Sequence, residues 1–370
     1  MKINYTMFET GLTGGVKVIL EIANKLIERG HEVTITAVGL PKDTQWFPLK
    51  AKITYVKGKS FLQKIFNFGV RKLFQLSLCP EIFLTRLTRV IPKCDINVAT
   101  YCFTAFSVFR SGKGIPFYHM QHYEEIFFTD LYLKALAKET YYLPLNKIAN
   151  SIWLKERLKE EKVSDALSDI PIVNPAIDHD IFHPLYLEKH RNIKKKVVAL
   201  GKLLEWKGLL DLFKAMEIVV KQRKDAELVL FGCKSLPPEY KKYQVPYKCV
   251  GTLVNKELAK LYSEADAVIC PSWYESFPLP PLEAMACGVP VVTTKYGTED
   301  YAFNEENSLV VLPRNPQAMA LAILRILEDK NLSEKLRKNG PKTAKQFTWD
   351  KTTDKVEKLF KEALKNRISY

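Results

Sequence analysis

Residues 2–38 constrain the fold of this chain more than any other stretch. Lys2 to Met7 is β-rich, and Gly11, Gly14 and Gly15 follow as a turn. Ile19, Ile22, Ala23, Leu26 and Ile27 then recur at helical spacing, and the run stops at Arg29-Gly30. Residues 32–38 are β-rich again. Strand, glycine turn, amphipathic helix and strand make a βαβ unit. Such a unit sets its two strands parallel and lays the helix over one face of the sheet. The expected class is therefore α/β.

The same alternation recurs further on. Residues 96–99, 117–121 and 145–150 read as strands, 152–161 as a helix, and 172–174 as a further short strand. The polar, basic run 189–196 reads as a linker. A second series then begins: strand 197–200, helix 209–220, strands 227–231 and 248–250, helix 257–263, strand 267–270. Strands 289–293 and 308–312, helix 317–327 and a long final helix 351–365 complete it. At 370 residues the chain is long enough for two domains with separate cores. The expected boundaries are 1–185, 186–350, and a helix over 351–370 packing back toward the N-terminal domain. Two doubly wound domains would face a central cleft. Ligands in such sheets bind beyond the carboxyl ends of the strands, where the strand order reverses.

Composition narrows the classes. With 47% hydrophobic and 26% charged residues the chain is neither disordered nor collagen-like. Seven cysteines include no C-x-x-C pair and no metal spacing, so they read as reduced thiols used as small buried hydrophobes. The N-terminus reads as a first strand and not as a signal peptide. No stretch reaches the ~18 apolar residues of a membrane span. The expectation is a cytoplasmic protein, soluble or peripheral at the inner face of the membrane.

The formal charge of +15 is unevenly placed. Residues 50–93 hold ten Lys or Arg and one acid, Glu81, interleaved with Phe61, Leu62, Phe66, Phe68, Leu73 and Phe74. Basic and bulky apolar residues together suit an anionic membrane surface. A core-facing helix with a solvated basic face explains them equally well. Nucleic acid is not expected as a partner, because no reader motif accompanies the charge.

The chemistry-bearing stretch is 271–288. An apolar strand leads into Pro271-Ser272-Trp273-Tyr274-Glu275-Ser276-Phe277-Pro278, and a short helix-forming run then stops at Gly288. Proline suits a first helical turn and glycine the position past the end. Glu275 then lies before a helix N-terminus and Glu283 inside its first turns. Helix amides and the positive dipole end suit a phosphate. Carboxylates accept hydrogen bonds from sugar hydroxyls. The combination reads as a site for a sugar joined to a diphosphate, although two glutamates eight apart can also be a solvated face.

Taken in order, these residues resemble family-4 retaining glycosyltransferases of the GT-B fold, over nearly the whole chain. The landmarks are Gly14-Gly15 with Arg29-Gly30-His31-Glu32-Val33, then His122, then Gly201-Lys202-Leu203-Leu204-Glu205-Trp206-Lys207-Gly208. Last comes Glu275 through Glu283 to Gly288-Val289-Pro290, the E-x7-E signature. The resemblance implies that Gly14 and Gly15 let the backbone approach a diphosphate and that Lys202 and Lys207 neutralise it as it leaves. The family usually has Arg at the position of Lys202, and lysine lacks the bidentate fork. Glu275 would hold the donor sugar, Glu283 the ribose, and Ser276 and Phe277 would offer backbone amides. A histidine beside the reacting sugar matches His122, with His119 the competitor. Gln121 and Glu124 are neighbours able to touch an acceptor.

The implied reaction is sugar transfer from a nucleotide-diphosphate donor to a hydroxyl, with retention, without cofactor or metal. The implied acceptor is a glycan or a lipid-linked glycan. No carboxylate pair is spaced as a hydrolase needs. A sugar-nucleotide epimerase of the same fold, or a non-catalytic protein binding sugar nucleotide or membrane, are the other readings.

Overall fold

The structure is a computed structural model describing residues 1–56, 81–161, 170–185 and 194–368. The chain divides into two compact units. One comprises Met1–Pro175 with Trp349–Tyr370, the other Ala176–Thr348.

The first unit holds six parallel strands: β1 (Lys2–Met7), β2 (Glu32–Val38), β3 (Lys52–Val56), β4 (Ile96–Ala99), β5 (Ile115–Met120) and β6 (Asn146–Ala149). Their order is β3-β2-β1-β4-β5-β6. Helix α1 (Gly14–Glu28) connects β1 to β2, capped by the Thr13 hydroxyl, which accepts from the Val16 amide. Its buried face carries Val16, Ile19, Leu20, Ala23 and Leu26, close to the spacing read from the sequence. Helices α2 (Glu81–Val90), α3 (Cys102–Ser111), α4 (Leu131–Glu139) and α5 (Ile152–Glu160) follow.

The second unit repeats the plan: β7 (Lys195–Leu200), β8 (Ala226–Phe231), β9 (Tyr247–Cys249), β10 (Ala267–Cys270), β11 (Val291–Thr294) and β12 (Leu309–Val311). All neighbours are parallel. Read from its far edge the order is β9-β8-β7-β10-β11-β12, the same winding as the first sheet. The helices are α6 (Leu209–Gln222), α7 (Asn255–Ser263), α8 (Leu279–Ala286), α9 (Pro316–Glu328) and α10 (Lys330–Ala344). Its core joins strand residues Val197, Ala199, Leu228 and Ile269 to Leu212, Phe213 and Met216 of α6 and Met319 and Ile323 of α9. The strands read as near-continuous apolar runs because helices cover the sheet. The strand order reverses between β1 and β4, and again between β7 and β10.

The final helix, α11 (Trp349–Ile368), belongs to the first unit. Phe360 is buried with its ring edge-on to Phe117 at 4.9 Å. Glu357 accepts from Arg29 at 3.0 Å and approaches His31 at 3.1 Å. Arg29 also pairs with Asp354 at 2.7 Å.

Several elements differ from expectation. Residues 172–174 make only a single bridge, Ala149 to Ile172. The first unit ends at Pro175, because the amide of Ala149 donates to Pro171 and that of Val173 to Ala149, while His179 approaches the Phe347 carbonyl of the second unit. Lys195 and Lys196 are strand residues, not linker. Their ammonium groups meet Asp266 at 3.0 Å and Glu264 at 2.8 Å. The rest of the expected linker, up to residue 193, lies outside the described residues. So do residues 57–80, the greater part of the basic 50–93 segment.

Candidate active site

The loops that leave β7 and β10 meet where the second sheet reverses. The loop after β7 is a turn, Glu205–Lys207, ended by Gly208 at φ 64°. A Cβ on Gly208 would lie 2.0 Å from the Pro271 carbonyl oxygen of the loop after β10. Only glycine fits both the left-handed backbone and the space. The Trp273 amide donates to the Trp206 carbonyl at 2.7 Å, a second tie between the loops.

Through these ties the Lys207 ammonium reaches Glu275 Oε1 at 2.5 Å. The Ser272 hydroxyl donates to the same oxygen at 2.7 Å. Glu275 is 9% exposed and held by its backbone as well. Its amide donates to the Tyr296 carbonyl at 3.1 Å, and a Cβ on Gly297, at φ 93°, would lie 2.1 Å from the Glu275 carbonyl oxygen. The next tryptophan is fixed on both faces of its role in the loop: Trp273 Nε1 donates to Asp211 at 2.6 Å, and the Arg314 guanidinium stands 3.8 Å over its ring. A buried, hydrogen-bonded carboxylate beside a cation is a preorganised charge pair, able to bind hydroxyls through one partner and anionic oxygen through the other.

Glu283 sits in α8, buried, close enough to Tyr262 that its charge, after burial, helps to push the Tyr262 phenol well up. Pro280 and Pro281 have no N–H, so the first turn of α8 offers fewer amides than an ordinary helix start. The Phe277 side chain is committed to the interior, against Tyr301 at 5.1 Å and Phe347 at 5.5 Å. Lys202 is exposed and lies alongside Gly232: a Cβ on Gly232 would lie 4.0 Å from Lys202 Cε.

In the first unit Gly14 and Gly15 form the first turn of α1, where helix geometry gives their amides no partner within the helix. The Gln121 amide oxygen would lie 3.3 Å from a Cβ on Gly15. His122 follows β5, half-buried, its ring 4.6 Å from Phe127 and 5.8 Å from Trp153. His119 is a core residue, 1% exposed, with neither ring nitrogen hydrogen-bonded. Burial pushes its pKa down to about 4, which keeps it neutral. Glu124 is equally enclosed. It accepts from the Tyr118 hydroxyl at 2.7 Å and from the Cys102 amide at the start of α3, so it faces inward and not toward a ligand. Burial raises its pKa to about 7.

Sequence reasoning missed Ser272, Gly297, Asp211 and Arg314, whose roles arise from loops far apart in the chain. The glycine after β11 was the available signal for Gly297. The cysteines, expected to be small buried hydrophobes, divide: Cys102 and Cys287 are buried, Cys94, Cys233, Cys249 and Cys270 are half-buried because they stand at strand ends and loops, and Cys79 lies outside the described residues. Among the described residues no group of three or more His, Cys, Asp or Glu is placed to hold a metal ion. Nor is any described helix long and apolar enough to cross a membrane.

Residues 188–343 match the family described as Glycosyl transferases group 1. An uncharacterized glycosyltransferase of Methanocaldococcus jannaschii is 32% identical over 46% of this chain and 46% of its own length. The D-inositol 3-phosphate glycosyltransferase of Paenarthrobacter aurescens is 28% identical over 54% of this chain and 53% of its own length. The chain thus spans about half the length of the curated relatives it matches. Among solved structures, Anabaena HepE in complex with UDP-glucose superposes with a TM-score of 0.76 over 98% of this chain and 100% of that one, at 17% identity. Sucrose-phosphate synthase from Thermosynechococcus elongatus gives 0.75 over 99% and 100%, at 18% identity. The fold is GT-B.

Proposed function

We propose that this chain, whose residues 188–343 match the group 1 glycosyl transferases, moves a sugar from a nucleotide-diphosphate donor to an acceptor hydroxyl, with retention at the anomeric carbon. The observation that carries this reading is the Lys207–Glu275 pair at the strand-order reversal of the second sheet. Lys207 supplies positive charge where the diphosphate leaves, and Glu275 holds hydroxyls of the donor sugar. Lys202 adds a second cation from its exposed position. Glu283 receives the ribose hydroxyls, and the Ser276 and Phe277 amides hold phosphate or sugar oxygens. In the first unit Gly14 and Gly15 contact phosphate, and His122 serves the reacting sugar. The acceptor oxygen attacks the anomeric carbon from the face the diphosphate leaves. The acceptor's proton passes to the diphosphate oxygen, so the lysines do the task that a metal does elsewhere.

HepE, solved with UDP-glucose, supports a nucleotide sugar as donor. The acceptor belongs to polysaccharide or lipid-linked glycan synthesis, which the basic run 50–93 suits if it meets an anionic inner membrane surface. Co-sedimentation with vesicles that ignores both anionic lipid content and salt would remove that peripheral role.

The central test is a panel of uridine-, guanosine- and thymidine-diphosphate sugars, assayed for nucleoside diphosphate release with and without EDTA. Release that needs an acceptor and survives EDTA is the expected result. Interconversion of donors without acceptor would point to an epimerase. Binding without turnover for every donor would leave a sugar-nucleotide binding protein.

A further inference from the structure

Cys233 and Cys249 are sixteen residues apart in sequence and adjacent in space. Cys249 ends β9 opposite Leu230 of β8, and Cys233 lies just beyond the end of β8. The strand ends are locked together: the Gly232 amide donates to Gly251 at 2.7 Å and the Gly251 amide to Cys233 at 2.9 Å. This pairing sets the two Sγ atoms 2.7 Å apart. Unbonded sulfurs do not normally pack so closely, and a disulfide bond of about 2.05 Å is a small side-chain adjustment away. Both residues are half-buried, so a small oxidant reaches them.

The pair also borders the loop after β7. Cys233 Sγ lies 2.5 Å from where a Cβ on Gly201 would be, and Gly201 immediately precedes Lys202. The carboxyl ends of β7, β8 and β9 are neighbours on one edge of the sheet, the edge where ligands of this topology bind.

We propose that Cys233 and Cys249 are a modification site, forming a reversible disulfide with a low-molecular-weight disulfide as oxidant, and that this bond weakens nucleoside diphosphate binding beside Lys202. The second half rests on the donor-site reading given above; the first half does not.

Burial and contact with Cys249 push the Cys233 thiol up to about 12, which disfavours its thiolate. The Cys249 thiolate attacks one sulfur of the oxidant, a protein–oxidant disulfide forms, and one small thiolate leaves. The Cys233 sulfur then loses its proton, attacks the Cys249 sulfur and displaces the second small thiolate. Two protein thiols lose two electrons and two protons, and the oxidant's disulfide departs as two thiols. The new bond fixes the Cys233 side chain against Gly201 and stiffens the backbone that carries Lys202.

The test uses the full chain incubated with oxidised glutathione, then alkylated and digested without reductant. A peptide joining residues 233 and 249, lost after dithiothreitol, is expected. Glutathione adducts or cross-links at other cysteines with no 233–249 peptide would overturn the modification site. Calorimetric titration of reduced and oxidised protein with UDP, GDP and dTDP reads the second half. The nucleotide that binds should bind roughly fivefold or more weakly after oxidation. A Cys233→Ser, Cys249→Ser double variant should bind as the reduced protein does, with or without oxidant. A 233–249 cross-link with unchanged affinity would overturn the regulatory half. If reduced protein binds none of the three nucleotides, the donor reading falls and takes the regulatory half with it. The cross-link result then still decides the modification site.

Discussion

Lys207 Nζ and Glu275 Oε1 meet at 2.5 Å although 68 residues separate them. The contact exists because β7 and β10 lie side by side where the sheet changes direction, and because Gly208 and Pro271 let their loops touch. Neither loop alone places a charge pair; the winding of the sheet does.

Replacing either partner should therefore remove more than local charge. Lys207→Ala and Glu275→Ala should each lower kcat by roughly 10²–10³-fold, the usual loss for one preorganised electrostatic group. Because both side chains act as a unit, the double variant should be much less impaired than the product of the singles. Nucleoside diphosphate release at saturating donor measures this. Full additivity would mean that the two groups act separately.

Gly208→Ala tests the loop contact itself. A Cβ there meets the Pro271 carbonyl oxygen at 2.0 Å and sits on a left-handed backbone. The substitution should cost about 2–3 kcal/mol of stability, by strain and displaced backbone together. It should also lower activity through Lys207. Leu210→Ala, at an exposed neighbour, is the control and should leave the melting temperature near wild type. A Gly208→Ala protein as stable as the parent would show that the loops are not pressed together.

Much of this was legible beforehand, and the limits have physical causes. Residues 2–38 announce themselves because helix and strand periods change sharply at glycines. Glu275 and Glu283 stand out because prolines and Gly288 frame a short helix between them. Helix α10 was not legible, since its buried residues are few, Leu332, Leu336, Gly340 and Ala344, and Pro341 lies inside it. β3 escaped because only Val56 of that edge strand is fully buried. The part played by Ser272 and Gly297 depends on where β10 and β11 bring their loops. The Cys233–Cys249 approach depends on strand register, which no spacing in the sequence encodes.

Two carboxyls in the first unit should give its stability opposite slopes with pH. Lys361, Arg29 and His31 hold Glu357 near a pKa of about 2, below the ordinary value of 4.5. A depressed carboxyl contributes stability above its unfolded pKa and loses it as pH falls, here from about 4.5 toward 2. Glu357→Gln should remove that slope and cost about 1 kcal/mol at neutral pH, because the pairs are partly solvated. Denaturant titrations at stepped pH measure both. An unchanged acid limb in Glu357→Gln would show that α11 is held by its apolar face alone, through Val356 and Phe360.

Glu124 should act in the other direction. Burial lifts its pKa from 4.5 to about 7, while the Tyr118 hydroxyl and the Cys102 amide oppose the rise. A carboxyl whose folded pKa is raised favours the fold below its unfolded value, and that contribution disappears as pH climbs from about 4.5 through 7. The size is roughly 3 kcal/mol, taking 1.36 kcal/mol for each pH unit of the interval. Glu124→Gln keeps an acceptor for both hydrogen bonds and cannot ionise. It should match the parent at pH 4.5 and be the more stable of the two at pH 8, with the gap opening across that window. If the variant is instead less stable at pH 8, the ionised carboxylate is being held by the α3 N-terminus and the Tyr118 hydroxyl more strongly than burial opposes it. The slope would then reverse, leaving the helix start and not the enclosure as the dominant influence on Glu124.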